Sequence, residues 1–282
     1  MRTYLDCYPC FLRQALEAAR LAGADENQQH WVLREVLDEL HQFALTSTPP
    51  EMGYRIHQIV RRELGARDPY QQAKVLSTQQ ALALYPKLKA LVAEADDALE
   101  TAVRLSIAGN IIDLGVTQEY DLEGTIQRVL AQPFAIDAYA AFWDRLAQAE
   151  VVLYLADNAG ETVFDRVLIE TMNKPVIYVV KHGPILNDAT RQDALAAGLS
   201  GVATIVDNGC DAPGTIIPLC SQEIRYLLAE ANFIIAKGQA NYESLSETAA
   251  PIFFLLQAKC PVIARSLGVP VKSIVLKDGA MK

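Results

Sequence analysis

The chain of 282 residues contains no uninterrupted apolar run of the roughly eighteen residues a helix needs to cross a bilayer, so no membrane span is expected. Its first residues, MRTYLDCYPCFLRQ, lack a continuous apolar segment, and no signal peptide is expected either. Clusters of lysine and arginine are also missing. A net charge of −9 and a pI near 5.0 leave little with which to neutralise a run of phosphates, which argues against a general nucleic-acid binder. Cysteine is scarce and scattered: the five at positions 7, 10, 210, 220 and 260 are odd in number and do not look like a disulfide framework, so the expectation is a reducing compartment, with the cytoplasm as default. No G-x-G-x-x-G, Walker A sequence, G-x-S-x-G or H-E-x-x-H occurs, so dinucleotide, P-loop, hydrolase-elbow and zincin chemistries lack their parts. Internal repeats and low-complexity tracts are absent as well.

What is present is a globular composition, 51% hydrophobic against 21% charged, with two textures. Up to about Ala149 apolar residues recur at spacings of three and four. Phe11, Ala15, Ala18 and Leu21 form one stripe; Val32, Val36, Leu40 and Phe43 form the next, behind Asp25 as N-cap. Pro49-Pro50 opens a third helix to Leu64, closed by Gly65 and Pro69. Helices are expected from Gln71 to about Ala95 and from Ala98 to Ala108, where Gly109-Asn110 breaks the pattern, and then from Leu122 to Leu130 and Ile136 to Ala149. Strand-like runs follow at Val151–Ala156, Val176–Val180, Val202–Val206, Phe233–Ala236, Val262–Ala264 and Ser273–Leu276, most of them separated by amphipathic helices. The reading is an α/β protein: an all-α helical domain over 1–148, then a Rossmann-like α/β/α sandwich with a mostly parallel sheet over 149–282.

In such a sheet every turn from strand to helix lies above the carboxyl ends of the strands, so residues distant in sequence converge there. The first of these turns carries Asp157, Asn158, Gly160 and Glu161, and the second Lys181, His182, Asn187, Asp188 and Thr190. The third carries Asp207, Asn208, Gly209 and Asp211, and the fourth Lys237, Gly238, Gln239 and Asn241. Asp157, Asn158 and Asp188 are hard oxygen donors suited to Mg²⁺ or Mn²⁺. Lys237 and Gly238 before a helix N-terminus suit a phosphate, and Lys181 adds a second positive charge. Together they are equipment for metal-dependent phosphoryl chemistry. Taken singly, Asp157 and Asn158 are equally well turn formers, Asp188 an N-cap and Glu161 a partner of the helix dipole. Convergence across four turns favours the chemical reading. Cys7-Tyr8-Pro9-Cys10 opens a helical pattern without a second pair to complete a zinc site, so packing is its default role. His30, His41 and His57 lie on helical patterns without ligand spacing.

The ordered set Asp157-Asn158-Ala159-Gly160-Glu161, Lys181 with Pro184 to Thr190, Asp207-Asn208-Gly209 with Pro213-Gly214-Thr215, and Lys237-Gly238-Gln239-Ala240-Asn241-Tyr242-Glu243 resembles the damage-control phosphatase family, first catalogued as domain of unknown function 89. The Asp6-Cys7-Tyr8-Pro9-Cys10 segment and the Gly109-Asn110 pair are similar to its compact microbial branch with a C-x-x-C. The resemblance implies a helical domain on a Rossmann-like one, with hydrolysis of small phosphate esters such as sugar phosphates or damaged phosphometabolites. It further implies a divalent Mg, Mn, Co or Ni ion on Asp157, Asn158 and Asp188.

By the same resemblance Lys237 and Asn241 meet the phosphate and Asn110 reaches in from the helical half. Asp157, Glu161 and Lys237 are the expected catalytic residues, and Asn110, Lys181, Asp207, Gly238 and Asn241 the expected substrate-binding ones. A covalent aspartyl-phosphate through Asp157 is an alternative to attack by water, although the D-x-D pattern expected for it is missing. The rival functions are an S-adenosylmethionine-dependent carboxyl methyltransferase, which lacks a glycine-rich first turn, and a non-catalytic metabolite-binding module. The expected partner is a small phosphorylated metabolite, not nucleic acid or membrane, with a homo-oligomer left open.

Overall fold

The computed structural model describes residues 1–65, 68–111 and 122–280. Helices α1 (Cys7–Leu21), α2 (Glu26–Gln42) and α3 (Pro49–Leu64) come first, followed by α4 (Gln71–Ala93), α5 (Ala98–Ile111) and α6 (Leu122–Ala131). Their ends follow local chemistry. Asp25 accepts from Gln28 N while Gln28 reaches back to Asp25 N, a capping box that starts α2. Gly65, left-handed at φ 64°, closes α3. Gly109-Asn110 does not end α5 as expected: the helix runs through it to Ile111. A Cβ on Gly109 would lie 2.9 Å from the Phe164 side chain. That glycine serves close helix packing, not a turn.

A short strand β1 (Ile136–Asp137) then precedes α7 (Tyr139–Gln148), so the expected helix from Ile136 starts three residues later. The alternating part contains β2 (Val152–Leu155), α8 (Thr162–Met172), β3 (Val176–Val180), α9 (Arg191–Ala196), β4 (Thr204–Asp207) and α10 (Gln222–Glu230). It ends with β5 (Ile234–Lys237), α11 (Gly238–Leu245), β6 (Ile252–Gln257), α12 (Pro261–Leu267) and β7 (Ile274–Asp278). The expected strand Val262–Ala264 is corrected to α12, because Pro261 at the first helical position commits the segment to helix. The strand lies upstream, in the wholly buried Ile252–Gln257.

The seven strands are ordered β1-β7-β6-β5-β2-β3-β4, all parallel except the β6–β7 pair. From β2 the chain moves outward through β3 to β4, then returns to place β5 on the other side of β2. This reversal opens a crevice above the carboxyl ends of β2 and β5, where open α/β sheets bind ligands. Side chains alternate across the sheet. Val152, Tyr154, Tyr178, Ile235 and Phe253 face a core built with α4 to α9. Leu153, Leu155, Val179, Ile234 and Phe254 face one built with α1 to α3 and α10 to α12. The helices of the first half are therefore divided between the two faces. Among the described residues no helix is long and apolar enough to cross a membrane.

Candidate active site at the sheet crossover

Asp157 and Asn158 directly follow β2, and the loop after β3 folds back against them. Ala189 N donates to Asp157 O at 2.7 Å, Ala159 N donates to Asn187 O at 2.8 Å, and Asn158 and Asp188 form an isolated antiparallel bridge. Asp188 is thereby held beside the first turn. It is not the cap of α9, a position taken by Thr190, whose N and Oγ1 donate to Asp193 Oδ2 at 2.9 and 2.6 Å. Glu161 occupies the N-cap position of α8 but caps nothing; its side chain turns inward, nearly inaccessible at 2%.

Asn110, carried in by α5, donates through Nδ2 to Asp157 Oδ2 at 2.6 Å and Glu161 Oε2 at 3.1 Å. Asn158 Nδ2 donates to the same two oxygens at 3.0 and 3.1 Å. The structure thus brings Asp157, Asn158, Glu161, Asp188 and Asn110 together, as the sequence suggested. Gly238 belongs with them: at φ 77° its backbone passes so close that a Cβ would lie 1.9 Å from Asp157 Oδ2.

Other expected residues are placed differently. Lys237 is fully buried, and its ammonium donates to Ser106 O at 3.0 Å, Glu161 Oε1 at 2.5 Å and Asp165 Oδ1 at 2.7 Å. An ammonium has three N–H donors, so none is left for a phosphoryl oxygen. Burial opposes its charge, but the two carboxylates outweigh burial and raise its pKa above the usual lysine range. Asn241 is likewise committed: Nδ2 donates to Ala156 O at 3.0 Å and Lys237 O at 2.8 Å, and Oδ1 accepts from Thr215 at 2.7 Å. It ties the ends of β2 and β5 to the loop after β4. Lys181 donates to Gly214 O and pairs with Asp188 at 3.5 Å. Asp207 accepts from Gly209 N at 3.1 Å and holds the exposed His182 at 2.9 Å.

The electrostatics invite a cation. Among the described residues the buried carboxyls of Asp157, Glu161, Asp165 and Asp188 are met by the buried ammonium groups of Lys181 and Lys237, while Lys74, also buried and felt by Asp188, is paired with Asp68 and Asp193. Burial, then the charges of Glu161 and Asp188, push the Asp157 pKa well above the carboxylate range. Burial lifts Asp188 to about 6 despite the pull of Lys181. The inaccessible Asn110 Oδ1 receives no hydrogen bond, and Asp188 Oδ2, equally buried, is met by the Lys181 ammonium at 3.5 Å, beyond ordinary hydrogen-bond length. Orphaned buried acceptors require a partner, and hard oxygens gathered this way fit Mg²⁺- or Mn²⁺-like ions. Among the described residues no three His, Cys, Asp or Glu side chains suffice for a metal alone; here two carboxylates would be completed by carboxamides.

Two groups escaped the sequence reading. Asp165 is a buried carboxylate inside α8, where its spacing looks like a solvated helix face. Lys259, just after β6, is exposed, and its charge acts on Asp157 more strongly than that of Lys181. Its signal would have been the turn after β6, had that strand been recognised. Cys7 is buried and Cys10 exposed, both on the first turn of α1. His57 is buried edge-on to Tyr70.

Comparison with known proteins bears on the chain as a whole. The sequence model of the damage-control phosphatase ARMT1-like domain matches residues 3–275. The chain is 33% identical over 289 residues to a damage-control phosphatase of Pyrococcus horikoshii, covering 100% of both sequences. It is 35% identical over 281 residues to one of Archaeoglobus fulgidus, covering 96% of this chain and 97% of that one. A crystal structure of a DUF89 family protein from P. horikoshii superposes with a TM-score of 0.91 at 32% identity, over 99% of each chain.

Proposed function

Since the chain belongs to the damage-control phosphatase ARMT1-like family, we propose that it hydrolyses small phosphorylated metabolites at the β2–β5 crevice, with a divalent cation held by Asp157, Asn158 and Asp188. The observation that carries this is Asn110 Oδ1, buried without a hydrogen bond beside the carboxylates of Asp157, Glu161 and Asp188 gathered on turns that meet at the crossover. When bound, Mg²⁺, Mn²⁺, Co²⁺ or Ni²⁺ supplies Lewis-acid charge at a phosphoryl oxygen and lowers the pKa of a water. The chain's own residues do the rest. Lys259, exposed just after β6 and with its charge felt by Asp157, neutralises the phosphoryl oxygens from the solvent side, the task the sequence assigned to Lys237. Backbone N–H groups at the start of α11 add donors to the same place.

Lys237 instead fixes Glu161, which with Asn110 and Asn158 sets the orientation of Asp157. Net charge and the turn chemistry support a free metabolite as partner rather than nucleic acid or membrane, and the scattered cysteines fit the cytoplasm.

Phosphate release from a panel of sugar phosphates, assayed with each of the four metals, tests the reading. Asp157→Ala and Asp188→Ala should each reduce release to background, and Lys259→Ala should lower kcat/KM about 100-fold or more. Full activity in both aspartate variants, with folding intact, would remove the metal site.

A further inference from the structure

Beneath the crevice lies a second, dry carboxylate that takes no part in the proposed cation site. Asp165 is fully inaccessible and accepts four hydrogen bonds: from Ser106 Oγ at 2.9 Å and from Tyr154 OH, Tyr178 OH and Lys237 Nζ at 2.7 Å each. The two tyrosines face each other across β2 and β3, with ring centroids 5.2 Å apart. Burial and the Asp165 charge raise both phenol pKa values, so both remain donors. Asp165 in turn fixes the Lys237 ammonium, which grips Glu161 Oε1 at 2.5 Å. The other oxygen of Glu161 collects the amide nitrogens of Asn110 and Asn158, each also tied to Asp157. A carboxamide is planar. Fixing its nitrogen fixes the direction of its oxygen, and Asn110 Oδ1 is left buried without a partner.

We propose that Asp165, caged by Tyr154, Tyr178 and Ser106, is a positioning residue that acts through Lys237 and Glu161 to aim the carboxamide oxygens of Asn110 and Asn158 at the divalent cation. This rests on the cation reading above and adds Asn110 to its ligands. Lys74, buried between Asp68 and Asp193, shows that two carboxylates around one lysine do not make a cation site by themselves; what sets Lys237 apart is that Glu161 leads on through the amide of Asn110 to an oxygen buried without a partner. Partners that orient metal ligands from behind govern affinity about 10- to 100-fold.

The test uses the full chain: Mn²⁺ binding by calorimetry, the visible absorption spectrum at saturating Co²⁺, and the melting curve of the metal-free protein. Asp165→Asn should weaken Mn²⁺ binding at least about 10-fold and shift the Co²⁺ spectrum. Tyr178→Phe, which leaves every charge in place, should weaken binding a few-fold, with the same direction of spectral shift. A folded Asp165→Asn with Mn²⁺ affinity within twofold of wild type and an unchanged spectrum overturns the proposal. If Asp165→Asn does not fold, Tyr178→Phe decides, and wild-type affinity there overturns it. A wild-type protein that binds neither ion overturns the cation reading itself, an outcome separable from the others.

Discussion

Gly238 shows how little freedom a single residue has at this site. Its left-handed backbone and the 1.9 Å that would separate a Cβ from Asp157 Oδ2 exclude every side chain, and Asn110 Nδ2 lies only 2.9 Å from the same point. Gly238→Ala should therefore displace Asp157 or the start of α11, reducing kcat/KM about 100-fold or more in the phosphate-release assay. Activity at the wild-type level would show that the approach is relaxed in solution. Glu243, one turn further along α11, makes a different prediction. It is buried with Gln239 donating to it at 2.9 Å, and the Met1 ammonium and Cys7 lie within reach of its charge. Burial raises its pKa to about 7. Its folded pKa lies above the unfolded value, so the folded state holds the proton more tightly between about pH 4.5 and 7. Stability from this group consequently falls as pH rises through that window. Glu243→Gln should gain up to about 3 kcal/mol relative to wild type on going from pH 5 to pH 8, measured by urea unfolding. An equal difference at both pH values would contradict the raised pKa.

At the scale of elements, the start of α9 separates the helix cap from the proposed cation ligand. Asp188 and Thr190 are two residues apart, and the sequence allowed Asp188 to be the cap. The structure gives that duty to Thr190 and Asp193. Thr190→Ala should cost about 1 kcal/mol of stability while leaving phosphate release near wild type. Asp188→Asn should do the reverse, abolishing release with little change in the melting curve. Collapse of both properties in both variants would mean that the two residues work as one unit. The same logic shows what could be read in advance. The turns after β2 and β5 were legible because a buried apolar run ending in Asp157-Asn158 or Lys237-Gly238 is visible in the residues themselves. Strand β6 was not, since IFFLLQ is apolar on both faces and carries no alternation to distinguish it from a buried helix. Missing it hid Lys259. Asp165 was illegible for another reason: its partners Tyr154, Tyr178 and Lys237 lie on three different strands, and only the register places them around one carboxylate.

For the whole molecule, the change of texture near residue 148 is real in the sequence, but independent folding is a separate property. Both faces of the sheet are covered by helices of the first half, one by α1 to α3 and the other by α4 to α7. Strand β1 extends the sheet by pairing with β7, through Ile136 with Val275 and Asp137 with Leu276. The site is shared in the same way: Asn110 and the Ser106 carbonyl come from α5, while the carboxylates that Asn110 meets and the Lys237 ammonium that donates to the carbonyl come from after residue 148. A fragment spanning 149–282 would expose two apolar sheet faces and leave Lys237 and Asp157 short of partners. Expressed alone, it should aggregate or remain loosely packed, without a cooperative melting transition and without divalent-ion binding. Adding separately expressed 1–148 should restore both to the extent that the two pieces reassemble. A cooperative transition in 149–282 alone would instead establish the later part as a self-sufficient domain, with the helices serving only to close the site.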